Sequence, residues 1–379
     1  MQFKGYIEGY YGKLLSWKDR STILKSISHL GMNLYIYAPK EDPYHRIKWS
    51  TPYPDDALHN FKSFTEEATK LGITPYFCLS PGISFNKGAA SDLENLKEKF
   101  NQLHSVGFSE FGILFDDLEF KRDKYLAVEH GNIINEISQY LEKKSTNPLI
   151  FCPTVYCNSF ADDDIFNSPY LKTLAEEVPS NLPMLWTGKN VVSESIIDEE
   201  IQELQKVISN PVLIWDNYYA NDYCPTKFFI GPLKDRLINI ENVEGFGLNG
   251  TGLSITDSII LSQLDGKLKT DDILKKFEIP DAFKQLMPFF YGPFDIVPDL
   301  SKVEDIDILI DLSNDLCIEW KSQLQLEWSP FLWDFFNNLR FLKKIIEGND
   351  KKSLEAWALR RYSGPLNEII SRKLKKKGS

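Results

Sequence analysis

Short apolar runs recur along the first two thirds of the chain, each closing on glycine or a polar side chain. After most of them comes a stretch with apolar residues three and four apart. The first pattern predicts buried strands and the second amphipathic helices. The runs lie at 3–9, 33–38, 74–80, 110–116, 149–156, 183–187, 212–216 and 245–249; helical periodicity covers 16–30, 56–71, 91–106, 132–143 and 198–208. The runs do not alternate apolar with polar, so each strand is expected to be covered on both faces, as in a parallel sheet. Eight βα units in about 260 residues predict a (β/α)8 TIM barrel. A doubly wound sheet would carry a GxGxxG turn after its first strand, whereas the first turn here reads Glu8-Gly-Tyr-Tyr-Gly12.

Beyond residue 265 the strand signals stop. Prolines 280, 288, 293 and 298 punctuate a link, then helical periodicity covers 304–323 and 330–347. Phe331, Leu332, Phe335, Phe336, Leu339, Leu342 and Ile345 share one face, the pattern of a bundle core. The expected organisation is a barrel over 1–265 and a smaller helical region over 266–379.

In a barrel of this kind the functional residues stand at the C-terminal strand ends. Here those ends deliver Gly9, Lys40, Ser80-Pro-Gly82, Asp116-Asp117, Thr154 with Tyr156, Trp186-Thr-Gly188, Trp215-Asp216-Asn217 and Asn249. Asn, Asp, Lys, Tyr and Trp on one rim suit a polyhydroxylated ligand: fixed donors and acceptors beside a flat apolar wall. The Asp pair is the sharpest signal. Adjacent Cα atoms stand about 3.8 Å apart, and two like charges so close are expected to raise the pKa of at least one. An Asp at this point also serves as an ordinary helix cap, and the residues alone leave both readings open. Sequence neighbours are poorly placed to flank a glycosidic bond from opposite sides, as two-carboxylate glycosidases require. They fit a substrate-assisted route in which a 2-acetamido oxygen is the nucleophile.

Composition removes other classes. A net charge of −11 argues against a nucleic-acid surface, and the one basic cluster is the tail 372–377. Five cysteines without CxxC spacing point to reduced thiols and a cytoplasmic setting. The sequence opens directly on a strand pattern, so no signal peptide is expected. No apolar run approaches the ~20 residues of a membrane span. Five histidines without HExxH spacing give no zinc pattern, and neither metal nor cofactor is expected. No GxSxG motif accompanies a Ser nucleophile.

The strings Gly5-Tyr-Ile-Glu-Gly-Tyr-Tyr-Gly12, Tyr35-Ile-Tyr-Ala-Pro-Lys-Glu-Asp-Pro-Tyr-His-Arg46, Ser80-Pro-Gly82, Leu114-Phe-Asp-Asp117, Phe151-Cys-Pro-Thr154, Leu185-Trp-Thr-Gly188 and Ile214-Trp-Asp-Asn217 with Asn221-Asp-Tyr223 resemble glycoside hydrolase family 84. That is the family of O-GlcNAcases and bacterial β-N-acetylglucosaminidases. The resemblance runs over about residues 3–260. It implies a (β/α)8 barrel and a retaining, exo-acting, acetamido-assisted mechanism through an oxazoline, on β-linked GlcNAc glycoconjugates.

By the same resemblance Asp116 corresponds to the residue that orients the acetamido group and Asp117 to the general acid/base, with a raised pKa expected on the acid. Gly9, Lys40, Asp222 and Asn249 correspond to partners of sugar hydroxyls, Tyr156 and Asn217 to residues around the acetamido pocket, and Trp215 to its wall. Asp216 is either a hydrogen-bond partner behind that pocket or a barrel-lining carboxylate. Simpler roles stand beside these: a turn at Gly9, pairing of Lys40 with Glu41 or Asp42, core packing for Tyr156 and Trp215. Val155, Leu14-Leu15 and Gly250 depart from the family pattern at the rim. A homodimer through the C-terminal helices is a further expectation. The competing functions are a glycosidase for cell-wall or glycan fragments and a non-catalytic GlcNAc-binding barrel.

Overall fold

The computed structural model describes residues 2–85, 90–162, 164–232, 242–264, 269–300 and 302–348. Eight strands, β1 (Phe3–Glu8), β2 (Leu34–Tyr37), β3 (Thr74–Leu79), β4 (Glu110–Leu114), β5 (Ile150–Cys152), β6 (Met184–Trp186), β7 (Val212–Asp216) and β8 (Gly245–Asn249), pair in chain order. Every pairing is parallel. β8 returns to β1, with Phe3 opposite Gly245 and Ile7 opposite Asn249, and the barrel closes. This is the (β/α)8 TIM barrel expected from the strand count, followed by a helical C-terminal region.

Side chains alternate across each strand. One set, including Phe3, Ile7, Leu34, Ile36, Tyr76, Cys78, Leu114, Ile150, Leu185 and Leu213, makes a single buried cluster. On β1 the intervening position, Glu8, is a fully buried carboxylate. It is held by Arg20 of the helix Trp17–His29 through two bonds of 2.9 and 2.8 Å and by the Tyr35 hydroxyl at 2.7 Å. A buried ion is tolerated there because its lone pairs are occupied.

Several boundaries differ from the pattern, each for a local reason. β5 ends at Cys152 because Pro153 cannot donate to a ladder. The next helix in the unit before it, Lys124–Leu141, begins earlier than position 132, with Asp123 accepting the Tyr125 and Leu126 N–H groups. Gly131 lies inside this helix, where a Cβ would collide with Glu177 of the helix Pro169–Glu177. That second helix, absent from the periodicity, is short and starts at a Ser168 cap with Pro169 in its first turn.

By packing, the chain forms two compact units, Met1–Tyr218 with Lys234–Ser254, and Tyr219–Leu233 with Ile255–Ser379. The second is discontinuous. Its segment after β7 lies against Phe290 and Tyr291 through backbone bonds from Ile230 (2.8 Å) and Gly231 (3.0 Å). Phe228 stacks on Phe290 and Trp328 in an aromatic core shared with Phe283 and Phe331. The helices Val303–Ile318 and Gln323–Ile346 carry the apolar face read from the sequence, and Phe331, Leu332, Phe335, Leu339, Leu342 and Ile345 are buried within this unit. The latter helix starts before Pro330, not at it, because Ser322 caps it through Gln325 N. Pro330 withholds one donor, from the carbonyl of the exposed residue Leu326. Among the described residues no helix is long and apolar enough to cross a membrane. The basic tail 372–377 lies outside them.

Candidate active site

β4 ends at Leu114, and the chain turns at once. Asp117 has φ of +54°, in the left-handed region that few non-glycine residues adopt. The turn frees the Asp pair from strict strand alternation. It also separates the two environments: Asp116 is buried while Asp117 is exposed.

Lys40, buried at the end of the β2 segment, pairs with Asp116 through Oδ2. Its sequence neighbours hold other donors: Glu41 accepts the Gly12 N–H at 2.8 Å, and Asp42 accepts the Tyr37 and Tyr53 hydroxyls at 2.7 and 2.6 Å. Asp116 Oδ1 is buried with no hydrogen-bond partner among the described residues. An unused buried carboxylate oxygen is costly, and a ligand donor would satisfy it.

Asp117 is held on both oxygens by phenols. Tyr156 donates to Oδ1 at 2.8 Å and Tyr11 donates to Oδ2 at 2.7 Å, while Arg46 reaches the Asp117 carbonyl at 3.4 Å. Partial withdrawal from water works to raise its pKa. The Lys40 ammonium, the two phenolic bonds and the Arg46 guanidinium outweigh that, and the carboxyl sits below its ordinary value. The raised pKa expected on the acid is therefore corrected to a lowered one: the cations and phenolic donors around Asp117 outweigh its withdrawal from water.

Gly9, Trp215, Asn217 and Asn249 form one connected patch. Asn249 Oδ1 accepts the Gly9 N–H at 3.0 Å and its amide donates to Asn217 Oδ1 at 2.8 Å. The Trp215 indole N–H donates to the same Asn217 oxygen at 2.9 Å, and Asn217 donates to the Val191 carbonyl at 2.8 Å. Trp215 and Tyr156 both belong to the barrel's buried cluster, so packing and a pocket wall are compatible uses of the same rings. Asp216 is buried, and its Oδ1 accepts the Tyr218 N–H at 3.1 Å. Asp222 belongs to the second unit, where it accepts the Tyr223 N–H at 2.9 Å.

A family model described as beta-N-acetylglucosaminidase (NAGidase) matches residues 4–264. The chain belongs to the β-N-acetylglucosaminidase family.

Protein O-GlcNAcase of Mus musculus is 34% identical over 239 residues, covering 61% of this chain and 26% of the mouse protein. Protein O-GlcNAcase of Rattus norvegicus gives the same figures. The chain thus spans about a quarter of the length of these relatives. A mutant of the Thermobaculum terrenum O-GlcNAc hydrolase superposes with a TM-score of 0.83 at 24% identity, over 99% of this chain and 94% of that one. CpGH84B superposes at 0.76 and 22% identity, over 99% and 76%. These two likenesses show the shared fold.

Within the β-N-acetylglucosaminidase family frame, three residues near the pair carried no role in the sequence reading. Tyr11 and Arg46 touch Asp117 directly. His45 is fully buried and its Nδ1 bonds the Cys78 carbonyl at 2.6 Å; burial and then the Lys40 charge push its pKa down to about 3, so the ring is neutral. All three lie inside the strings that follow β1 and β2, and that position was the available signal. Of the rim departures, Val155 is fully buried and Leu14 is half exposed.

Proposed function

We propose that this protein is a retaining, exo-acting β-N-acetylglucosaminidase that uses the substrate's own 2-acetamido group as nucleophile. The observation that carries the reading is the division of labour in the Asp pair. Asp116 is buried beside Lys40 with one oxygen unpartnered, an acceptor suited to the acetamido N–H. Asp117 is exposed, as a residue exchanging protons with a leaving group and water must be.

In the first step the acetamido carbonyl oxygen attacks C1. The bond from C1 to the leaving oxygen breaks as Asp117 delivers a proton to that oxygen, and Asp116 stabilises the positive charge that develops on the amide nitrogen. In the second step Asp117 removes a proton from water, which opens the oxazoline at C1 with retention. Gly9, Lys40, Asp222 and Asn249 are proposed partners of sugar hydroxyls. Tyr156, Asn217 and Trp215 are proposed to shape the acetamido pocket, with Asp216 behind it.

The names of the mouse and rat relatives support O-linked GlcNAc on proteins as the substrate class. Five free, buried cysteines support a reducing, cytoplasmic setting. The boundary near residue 265 and a homodimer through the C-terminal helices belong to the same proposal. Exposed Ile308, Leu326 and Trp333 on those helices are the surface available for pairing, and light scattering would read the mass.

The deciding experiment is turnover of an aryl β-N-acetylglucosaminide. Hydrolysis with retained anomeric configuration is expected. Tight binding of GlcNAc with no hydrolysis would overturn the enzyme reading in favour of a binding barrel. Release of GlcNAc from a modified protein, run beside a wall-derived disaccharide, separates the two substrate classes.

A further inference from the structure

A general acid must carry its proton before the leaving group departs, yet both oxygens of Asp117 accept phenolic hydrogens. The two donors are not equivalent. Tyr156 is buried, and its bond to Oδ1 is compatible with a proton on the other oxygen. Tyr11 is 38% exposed and occupies Oδ2. Its hydroxyl hydrogen is directed: Arg46 donates to the Tyr11 oxygen at 2.6 Å, so the single phenolic hydrogen points at Asp117, 2.7 Å away. Both cations also lie near the Tyr11 ring, Lys40 at 5.9 Å and Arg46 at 5.4 Å from its centroid.

We infer that Tyr11, aimed by Arg46, is a positioning residue that holds Asp117 ionised in the free enzyme and marks the place of the leaving-group oxygen. Aglycone binding at the exposed Oδ2 displaces the phenol, which keeps its hydrogen, and only then does Asp117 take up from solvent the proton it will donate. Among the described residues, the charged and titratable groups facing Asp117 include its neighbour Asp116, Lys40 and Arg46 from the segment after β2, Tyr11 from the segment after β1, Cys152 at the end of β5 and Tyr156 from the segment after it. Of these, Tyr11 is the donor that stands at the rim, on the oxygen opposite the buried Tyr156. The same geometry makes the Tyr11 hydroxyl a competitor of the substrate, so it links aglycone contact to the readiness of the acid.

This inference rests on the assignment of Asp117 as acid/base. The test is a pair of pH profiles for wild type and Tyr11→Phe on an alkyl β-N-acetylglucosaminide. The alkaline limb of kcat/KM reports the acid in the free enzyme and that of kcat the acid in the complex. In wild type the kcat limb is expected at higher pH than the kcat/KM limb. In Tyr11→Phe the kcat/KM limb should rise by roughly one pH unit and the gap should narrow. A structural role for Tyr11 would lower rates without moving either limb. An unmoved kcat/KM limb, or a gap equal to that of wild type, overturns the inference. Asp117→Asn separates the two failures. If it is impaired on alkyl substrates while the Tyr11→Phe limb stays in place, only the Tyr11 role is wrong; if it is unimpaired, the acid assignment itself is wrong.

Discussion

The Trp215 indole occupies the space that a side chain at Gly9 would need: a Cβ built there collides with Cζ2 and Cη2 of the ring. Glycine at the end of β1 is therefore a packing requirement of the aromatic wall delivered by β7. Gly9→Ala should displace the indole, break its bond to Asn217 and raise KM for β-N-acetylglucosaminides. Overpacking of this kind costs about 1–3 kcal/mol, readable as a lower urea midpoint. Unchanged KM and midpoint would mean that the ring moves aside freely.

Asp117→Asn keeps the shape of the exposed carboxyl but removes its proton chemistry. Alkyl glycosides, which need a protonated leaving oxygen, should lose about 10²–10⁴-fold in rate. An activated aryl glycoside should lose much less in its first step. A uniform loss across leaving groups would argue for a purely structural role.

Asp116→Asn addresses the buried partner of Lys40. Every acetamido substrate should suffer, by about 10²-fold or more, because the developing charge on the amide nitrogen loses its counter-ion. The corresponding unacetylated glucoside should be nearly inert with wild type. Brisk glucoside turnover would falsify acetamido assistance.

His45 predicts a pH dependence of stability. Its folded pKa, about 3, is depressed below the ~6.5 of an unfolded histidine. A depressed pKa means that the unfolded chain binds the extra proton first. The stabilisation is fully present above pH ~6.5 and is lost as pH falls toward the folded value, at up to about 1.4 kcal/mol per pH unit for one site. Urea midpoints at pH 7, 6 and 5 should decline in wild type. His45→Gln, which offers an amide donor to the Cys78 carbonyl, should flatten that decline, and parallel curves would show that other groups set it.

In the second unit, Glu327 accepts the backbone N–H groups of Ile255 and Thr256 at 2.9 and 3.0 Å, and the Thr256 hydroxyl at 2.9 Å. It caps the start of the helix Ser254–Leu264 from a distant part of the sequence. Glu327→Ala should cost about 1–2 kcal/mol, measured by thermal unfolding. A loss below a few tenths would indicate that water replaces the carboxylate.

The strands were legible because a parallel barrel buries both faces of each strand, leaving short apolar runs that a single sequence displays plainly. β7 and β8 match their runs residue for residue. The ends were harder. Pro153 stops β5, and Asp123 starts a helix that runs on through Gly131, because caps and close helix contacts are local or tertiary details with no periodic signature.

The Asp pair was visible as chemistry in the sequence, since adjacent carboxylates after an apolar run have few ordinary uses. The sequence determined the fold class, the rim on which polar and aromatic residues gather, and the identity of Asp116 and Asp117 as the pair to watch. What it could not determine was protonation. Only the tertiary structure brought Lys40 to Asp116 and closed the Arg46, Tyr11 and Asp117 chain, turning an expected raised pKa into a lowered one. The physical reason is that a pKa depends on every charge and donor within a few ångströms, and those come from β1, β2 and β5 segments up to 106 positions away from Asp117.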